Sequence, residues 1–154
     1  MSKELPSMKQ PLRRSLTTYR AGLLQAQAYR ALRKQLTTWL TDYQLSVSEW
    51  ALLGSVYDLK TKGLRLSKVA ELLQVELPSA TNLVNSLEAK GLVERRADAE
   101  DSRARCVIVT KRGNELVPVV EKALRTRFKE WLRDVDSGNL EQYLKVLEHL
   151  ARHS

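Results

Sequence analysis

Between Ser67 and Thr110 the spacing of apolar residues changes twice, and this change limits the fold more than any other feature of the chain. Val69, Ala70, Leu72 and Leu73 recur at helical steps behind Ser67, whose hydroxyl can cap a compact helix. Gln74, Val75 and Glu76 interrupt that pattern. Ala80, Leu83, Val84 and Leu87 then stripe a second helix, which tolerates Pro78 in its first turn and closes on Gly91. Residues 92–96 and 106–110 read as two strands around a short charged loop, 97–105. Two short helices joined by three residues and followed by a hairpin specify a helix-turn-helix with a β-wing.

The flanks are helical. Pro6 and Pro11 mark an irregular basic leader over 1–15, after which Ala21, Leu24, Ala28, Leu32, Leu36, Trp39 and Tyr43 stripe a long amphipathic helix. Ser46 and Glu49 form a capping box that opens a helix through Trp50, Leu53, Val56 and Tyr57. Residues 60–63 read as a turn and 64–66 as a very short strand. Thr110 caps a further helix with Val117, Val120, Leu124, Phe128, Trp131 and Val135 inward, and Pro118 is expected to bend it near its start. Residues 136–139 break the chain before a last helix striped by Leu140, Tyr143, Leu144, Leu147 and Leu150. The expected fold is mainly α with a small antiparallel β-wing. A DNA-binding winged helix-turn-helix lobe spans 44–113, and 16–43 with 114–154 form a helical dimerisation region. The apolar stripes at both ends have no partner inside so small a lobe, so a homodimer is expected.

Charge narrows the partner. Lys and Arg total 26 against 18 acids, a formal +8 that attracts polyanions such as nucleic acid or an acidic membrane surface. The surplus is local: +6 over 1–43, −2 over 44–59, +4 over 60–113 and zero over 114–154. No apolar run approaches the roughly 20 residues that span a bilayer, and the leader lacks the apolar stretch of a signal peptide. The single cysteine, Cys106, allows no internal disulfide and fits a reducing cytosol, so a cytoplasmic protein is expected.

The run Leu83-Val84-Asn85-Ser86-Leu87-Glu88-Ala89-Lys90-Gly91-Leu92-Val93-Glu94-Arg95-Arg96 resembles the recognition helix and wing of the MarR family of winged-helix regulators. So does its continuation through Asp98, Asp101-Ser102-Arg103 and Val109-Thr110-Lys111-Arg112-Gly113. Trp50 also falls where the family often carries a large residue. Two positions depart from the pattern: Gln74 stands where the turn often has Gly, and Glu76 where a Ser or Thr cap is common.

The second helix of the motif turns short polar side chains outward: Ser79, Thr81, Asn82, Asn85 and Ser86 suit base or phosphate contact in a major groove. Arg95, Arg96 and Arg105 are candidates for phosphate contact. The resemblance implies that Arg103, at the wing tip, enters the minor groove and that Asp101 holds a basic wing residue in place. Relatives also suggest a small-molecule effector pocket lined by Trp39, Tyr43 and Trp50. Cys106 is expected to be a buried, inert thiol. His149 and His153 have a metal-compatible spacing but no evident further ligands, so neither a metal nor a cofactor is expected. No phosphate-cradling glycine loop, nucleophile–histidine pair or apolar-framed carboxylate pair is present, so the chain is not expected to be an enzyme. These readings converge on a sequence-specific regulator of double-stranded DNA, a dimeric ligand-responsive repressor on pseudo-palindromic operators. An activator that displaces other DNA-binding proteins would use the same residues. A winged helix serving protein interaction is the third class, and the polar helix face and Arg-bearing wing argue against it.

Overall fold

Among residues 17–152, which the computed structural model describes, six helices and three short strands follow the order expected of a winged helix-turn-helix with flanking helices. The basic leader and His153 lie outside the described residues. Helix α1 (Thr18–Leu40) runs into a 3-10 turn, Thr41–Tyr43, and Gln44 leaves it in a left-handed conformation. Helix α2 (Val47–Asp58) starts from the capping box: the Glu49 N–H donates to Ser46 Oγ at 3.1 Å and the Ser46 N–H to the Glu49 carboxylate at 2.7 Å. A second 3-10 turn, Lys60–Lys62, leads into β1 (Leu64–Arg65).

The motif itself is α3 (Leu66–Leu73) and α4 (Leu77–Ala89), followed by β2 (Val93–Ala97) and β3 (Arg105–Val109). The sheet is antiparallel in the order β1-β3-β2, with Leu64 opposite Val107 and Ala97 opposite Arg105. Strand β1 therefore ties the hairpin to the start of the helix-turn-helix. Leu40, Leu52, Leu53, Val69, Val84, Leu87, Val93, Val107 and Val120 are among the fully buried side chains. They come from the end of α1, α2, both helices of the motif, the wing root and α5 (Lys111–Trp131), so one core fixes all of them together.

Four details differ from the sequence reading. Helix α3 begins at Leu66 with Arg65 at its cap and no side-chain capping bond, so Ser67 lies inside the first turn. The reason is β1: pairing with β3 holds the backbone extended through Arg65, and the helix starts directly from the strand. Leu72 is 54% exposed, because eight residues of helix turn only Val69 fully inward. Helix α5 ends at Trp131, which leaves Val135 beyond it and exposed. The Asp136 carboxylate accepts the N–H groups of Gly138 and Asn139, so α6 (Ser137–Arg152) starts earlier than the 136–139 break implied.

Gln74 sits in the motif's turn at φ 51°, the left-handed conformation that explains why glycine is common there. A side chain in that region costs about 1–2 kcal/mol. The flanking helices keep their apolar stripes in the open. Leu24 of α1 and Tyr143, Leu144 and Leu150 of α6 are each at least 43% exposed, and α6 buries no residue.

The exit from the wing is tightly built. The Thr110 hydroxyl donates to Gly91 O at 2.7 Å and accepts the Gly113 N–H at 3.1 Å, joining the end of α4 to the start of α5. A Cβ on Gly113 would overlap the Leu92 carbonyl and Val109 Cγ1, and neither is the free end of a flexible chain. Gly113→Ala should therefore destabilise the protein by about 1–3 kcal/mol. An unchanged urea unfolding midpoint would show that α5 can shift to accept the methyl group.

Candidate nucleic-acid interface

The exposed face of α4 is positioned from behind by a buried carboxylate. Glu49 is only 5% exposed. Beyond its capping bond to Ser46, its Oε1 accepts from Lys90 Nζ at 2.7 Å and from Ser86 Oγ at 2.5 Å. Lys90 Nζ also donates to the Gln44 carbonyl at 2.7 Å. The start of α2, the turn after α1 and the last turns of α4 are thus joined at one point. Burial alone would raise the Glu49 pKa. The hydrogen bond from Lys90, those from Ser46 and Ser86, and the Lys90 charge outweigh it and hold the carboxyl below its ordinary value. Ser86, a candidate for DNA contact by sequence, is turned inward by this bond, because its place on α4 faces α2.

The other polar residues of α4 remain outward. Ser79 and Asn82 are exposed, and neither side chain makes a hydrogen bond among the described residues. The Thr81 hydroxyl donates to the Leu77 carbonyl one turn earlier at 2.9 Å, which leaves only its acceptor side outward. Asn85 is exposed, but its Oδ1 accepts from Arg95 Nη2 at 2.7 Å. Arg95 also pairs through Nη1 with the Glu88 carboxylate, which accepts the Arg95 N–H at 3.1 Å. The structure places Arg95 as a strut between recognition helix and wing root.

The wing is shaped by Asp98, whose side chain is 14% exposed. Its Oδ1 accepts the N–H groups of Glu100 and Asp101, and its Oδ2 accepts from Arg65 Nε at 2.7 Å. The Arg65 bond, with the backbone donors behind it, holds the Asp98 carboxyl well below the usual carboxylate range. Asp101 in turn accepts the Arg103 N–H at 3.0 Å. It orders the backbone under Arg103 and does not hold the guanidinium. Arg103 and Arg105 are exposed, and neither side chain has a hydrogen bond or ion pair among the described residues. Arg96 is exposed and bonded to Glu94 on its own strand at 2.7 Å.

Sequence reasoning missed Arg65, Asp98, Glu49 and Lys90 as organisers of this surface. Glu49 was visible only as a cap, and no local pattern signals partners 33 or 41 residues apart. The aromatic residues assigned to an effector pocket divide. Trp39 is buried edge-on against Trp131, with ring centroids 6.2 Å apart, and Trp50 packs half-buried against the core. Tyr43 lines two shallow surface hollows of about 480 and 330 Å³, shared with Gln44, Arg112 and Leu116. Cys106 is buried in β3. Among the described residues no cluster of His, Cys, Asp or Glu could hold a metal ion, and no helix is long and apolar enough to cross a membrane.

The Glu49 network predicts a pH dependence. A carboxyl whose pKa is lowered on folding stabilises the native state fully above the unfolded value, about 4.5, and loses that contribution as pH falls through the lower native value. Glu49→Gln should cost about 1–3 kcal/mol at pH 7 and flatten the decline in urea midpoint below pH 4.5. Parallel declines in parent and variant would remove Glu49 from that role.

Comparison with known proteins agrees with this geometry. Residues 43–104 match the model of the MarR family. The transcriptional regulator BldR from Sulfolobus solfataricus is 25% identical, with 90% of this chain and 100% of that one covered at a TM-score of 0.77. MepR of S. aureus, solved as a DNA complex, is 21% identical over 91% of this chain and 100% of that one, with a TM-score of 0.73. CouR from Rhodococcus jostii RHA1, solved with p-coumaroyl-CoA bound, is 18% identical over 85% and 91%, with a TM-score of 0.76.

Proposed function

From its place in the MarR family of winged helix-turn-helix DNA-binding regulators, we propose that this chain is a cytoplasmic homodimeric repressor that reads pseudo-palindromic operators and is relieved by a small-molecule effector. The observation that carries the reading is the juxtaposition of two open surfaces. The outward face of α4, with Ser79 and Asn82 unpaired, lies beside a wing whose Arg103 and Arg105 are equally unpaired. A helix that enters a major groove needs free donors and acceptors, and a minor groove draws in an unpaired arginine. Ion pairs within the protein would forfeit both. The exposed stripes of α1 and α6 support the dimer, because water is a poor neighbour for Leu24, Tyr143, Leu144 and Leu150. The ligand-bound CouR, of the same fold, supports an effector as a class and not a particular compound.

On this reading the two asparagines do different work. Asn82 offers both ends of its amide, the pattern that adenine accepts. Asn85 has its oxygen committed to Arg95 and presents its NH2 outward, which suits the acceptors of guanine or the O4 of thymine.

Selection from a random duplex pool should enrich two-fold related half-sites about one helical turn apart, and light scattering should give twice the 17.6 kDa chain mass. A stable monomer, or a pool without enrichment, would sink the reading.

On the selected operator, Asn82→Ala should cost about 1–3 kcal/mol at one base pair. Arg103→Ala should weaken binding and reduce its salt slope by about one unit if the side chain neutralises one phosphate's worth of charge. Arg95→Ala should free the Asn85 amide to turn and let adenine compete at that position. An unaltered base preference would show that Asn85 reads nothing.

A further inference from the structure

We infer that the outer face of the wing sheet carries a binding site for a small organic anion with an apolar body, built between the end of α2, the Lys60–Lys62 turn and the wing. The proposal deepens the effector-responsive reading by giving the effector a place and a chemistry. A cavity of about 590 Å³ opens there, within the range of small-molecule sites. Cys106 and Ile108 of β3 form its apolar floor, and Tyr57 of α2 a wall. Lys60, Lys62 and Arg96 supply cations against Asp58 on the same lining. Arg96 is already bonded to Glu94, whereas neither lysine ammonium has an ion pair among the described residues. Two ammonium groups without an ion pair, outnumbering the one carboxylate on the lining, stand above an apolar floor and favour a ligand with a carboxylate at one end and hydrocarbon at the other. It is separate from the hollows beside Tyr43 and from the outward face of α4.

The site is wired to the DNA-contacting wing at two points. Its floor is β3, whose first residue is Arg105 and which continues from the loop bearing Arg103. Its cationic turn runs through Gly63 and Leu64 into Arg65, whose guanidinium holds Asp98 and with it the wing loop. Gly63, at φ 68°, lets this turn lie directly on β3: a Cβ there would come 2.8 Å from Ile108 Cγ2 and 2.9 Å from the Val107 carbonyl. A displaced turn therefore moves Arg65 and the wing together, because the contact leaves no slack. An anion that draws Lys60 and Lys62 over the cavity would shift the Arg65–Asp98 bond and the pose of Arg103.

The test uses 2-naphthoate as probe, 2-naphthylmethanol as its neutral counterpart, and calorimetry on the full chain without DNA. The parent should bind naphthoate more tightly than the alcohol. Lys60→Gln with Lys62→Gln should weaken naphthoate at least tenfold and leave the alcohol unchanged. Arg112→Gln, in the hollows beside Tyr43, should leave naphthoate unchanged. Naphthoate should also weaken operator binding by the parent, and less so by the double lysine variant. Parent-like naphthoate binding in the lysine variant, or its loss in Arg112→Gln, would overturn the site. Saturating naphthoate without effect on operator affinity would overturn the coupling. Failure of the parent to bind any duplex would defeat the proposed function alone, since the calorimetry contains no DNA.

Discussion

The Glu49 carboxylate is the constraint on which the reading surface depends. A charged group this buried is tolerated only when its oxygens are filled, and here three donors fill them: the Ser46 N–H, the Ser86 hydroxyl and the Lys90 ammonium. One comes from the cap of α2 and two from the last turns of α4. One carboxylate thereby sets where α2 begins, how far α4 is rotated and how its last turn is anchored to the Gln44 carbonyl through Lys90. Rotation matters because a helix turns 100° per residue. With Ser86 bonded to Glu49, α4 is held in the rotation that leaves Asn82 and Asn85 exposed.

The wing is held by a parallel device at the surface. Asp98 gathers two backbone N–H groups of its own loop and the guanidinium of Arg65 from β1. Its low pKa expresses how strongly those donors favour the charged form. The bond leaves Arg103 and Arg105 uncommitted while ordering the backbone beneath them. Arg95 completes the frame by bridging Glu88 and Asn85, so the recognition helix and the wing root move as one body. Basic residues in this region thus divide into those paired within the protein and those without a partner among the described residues, a division that net charge does not reveal.

Much of the element order was legible because periodicity and capping are local. The Ser46–Glu49 box, the Thr110 cap and the Gly91 stop each lie within four residues of what they control, and all three stand in the structure. Errors arose where a distant partner overrode a local signal. Ser67 lost its capping role to β1, which exists only because β3 returns to pair Arg65 with Cys106 and Leu64 with Val107. Leu72 follows the helical spacing but faces water, since α3 is too short to be covered on that side. Trp39 and Trp50, grouped by sequence as pocket residues, are claimed wholly or in part by the core, as aromatic residues at helical spacing commonly are.

The sequence by itself determined the winged helix-turn-helix order, the polar composition of α4, the arginines of the wing and the apolar stripes of the flanking helices. Only the tertiary structure decided which of those polar residues are free. Ser86, Asn85 and Arg95 read alike in the chain, yet each has a partner within the protein, Glu49, Arg95 and Glu88 respectively, and Asn85 keeps only its NH2 end uncommitted. Arg65 read as the middle of a very short strand over 64–66 and became the clasp of the wing. The reason is physical: residue type and spacing specify what a side chain can bond, but its partner is chosen by the packing of segments that the sequence keeps far apart.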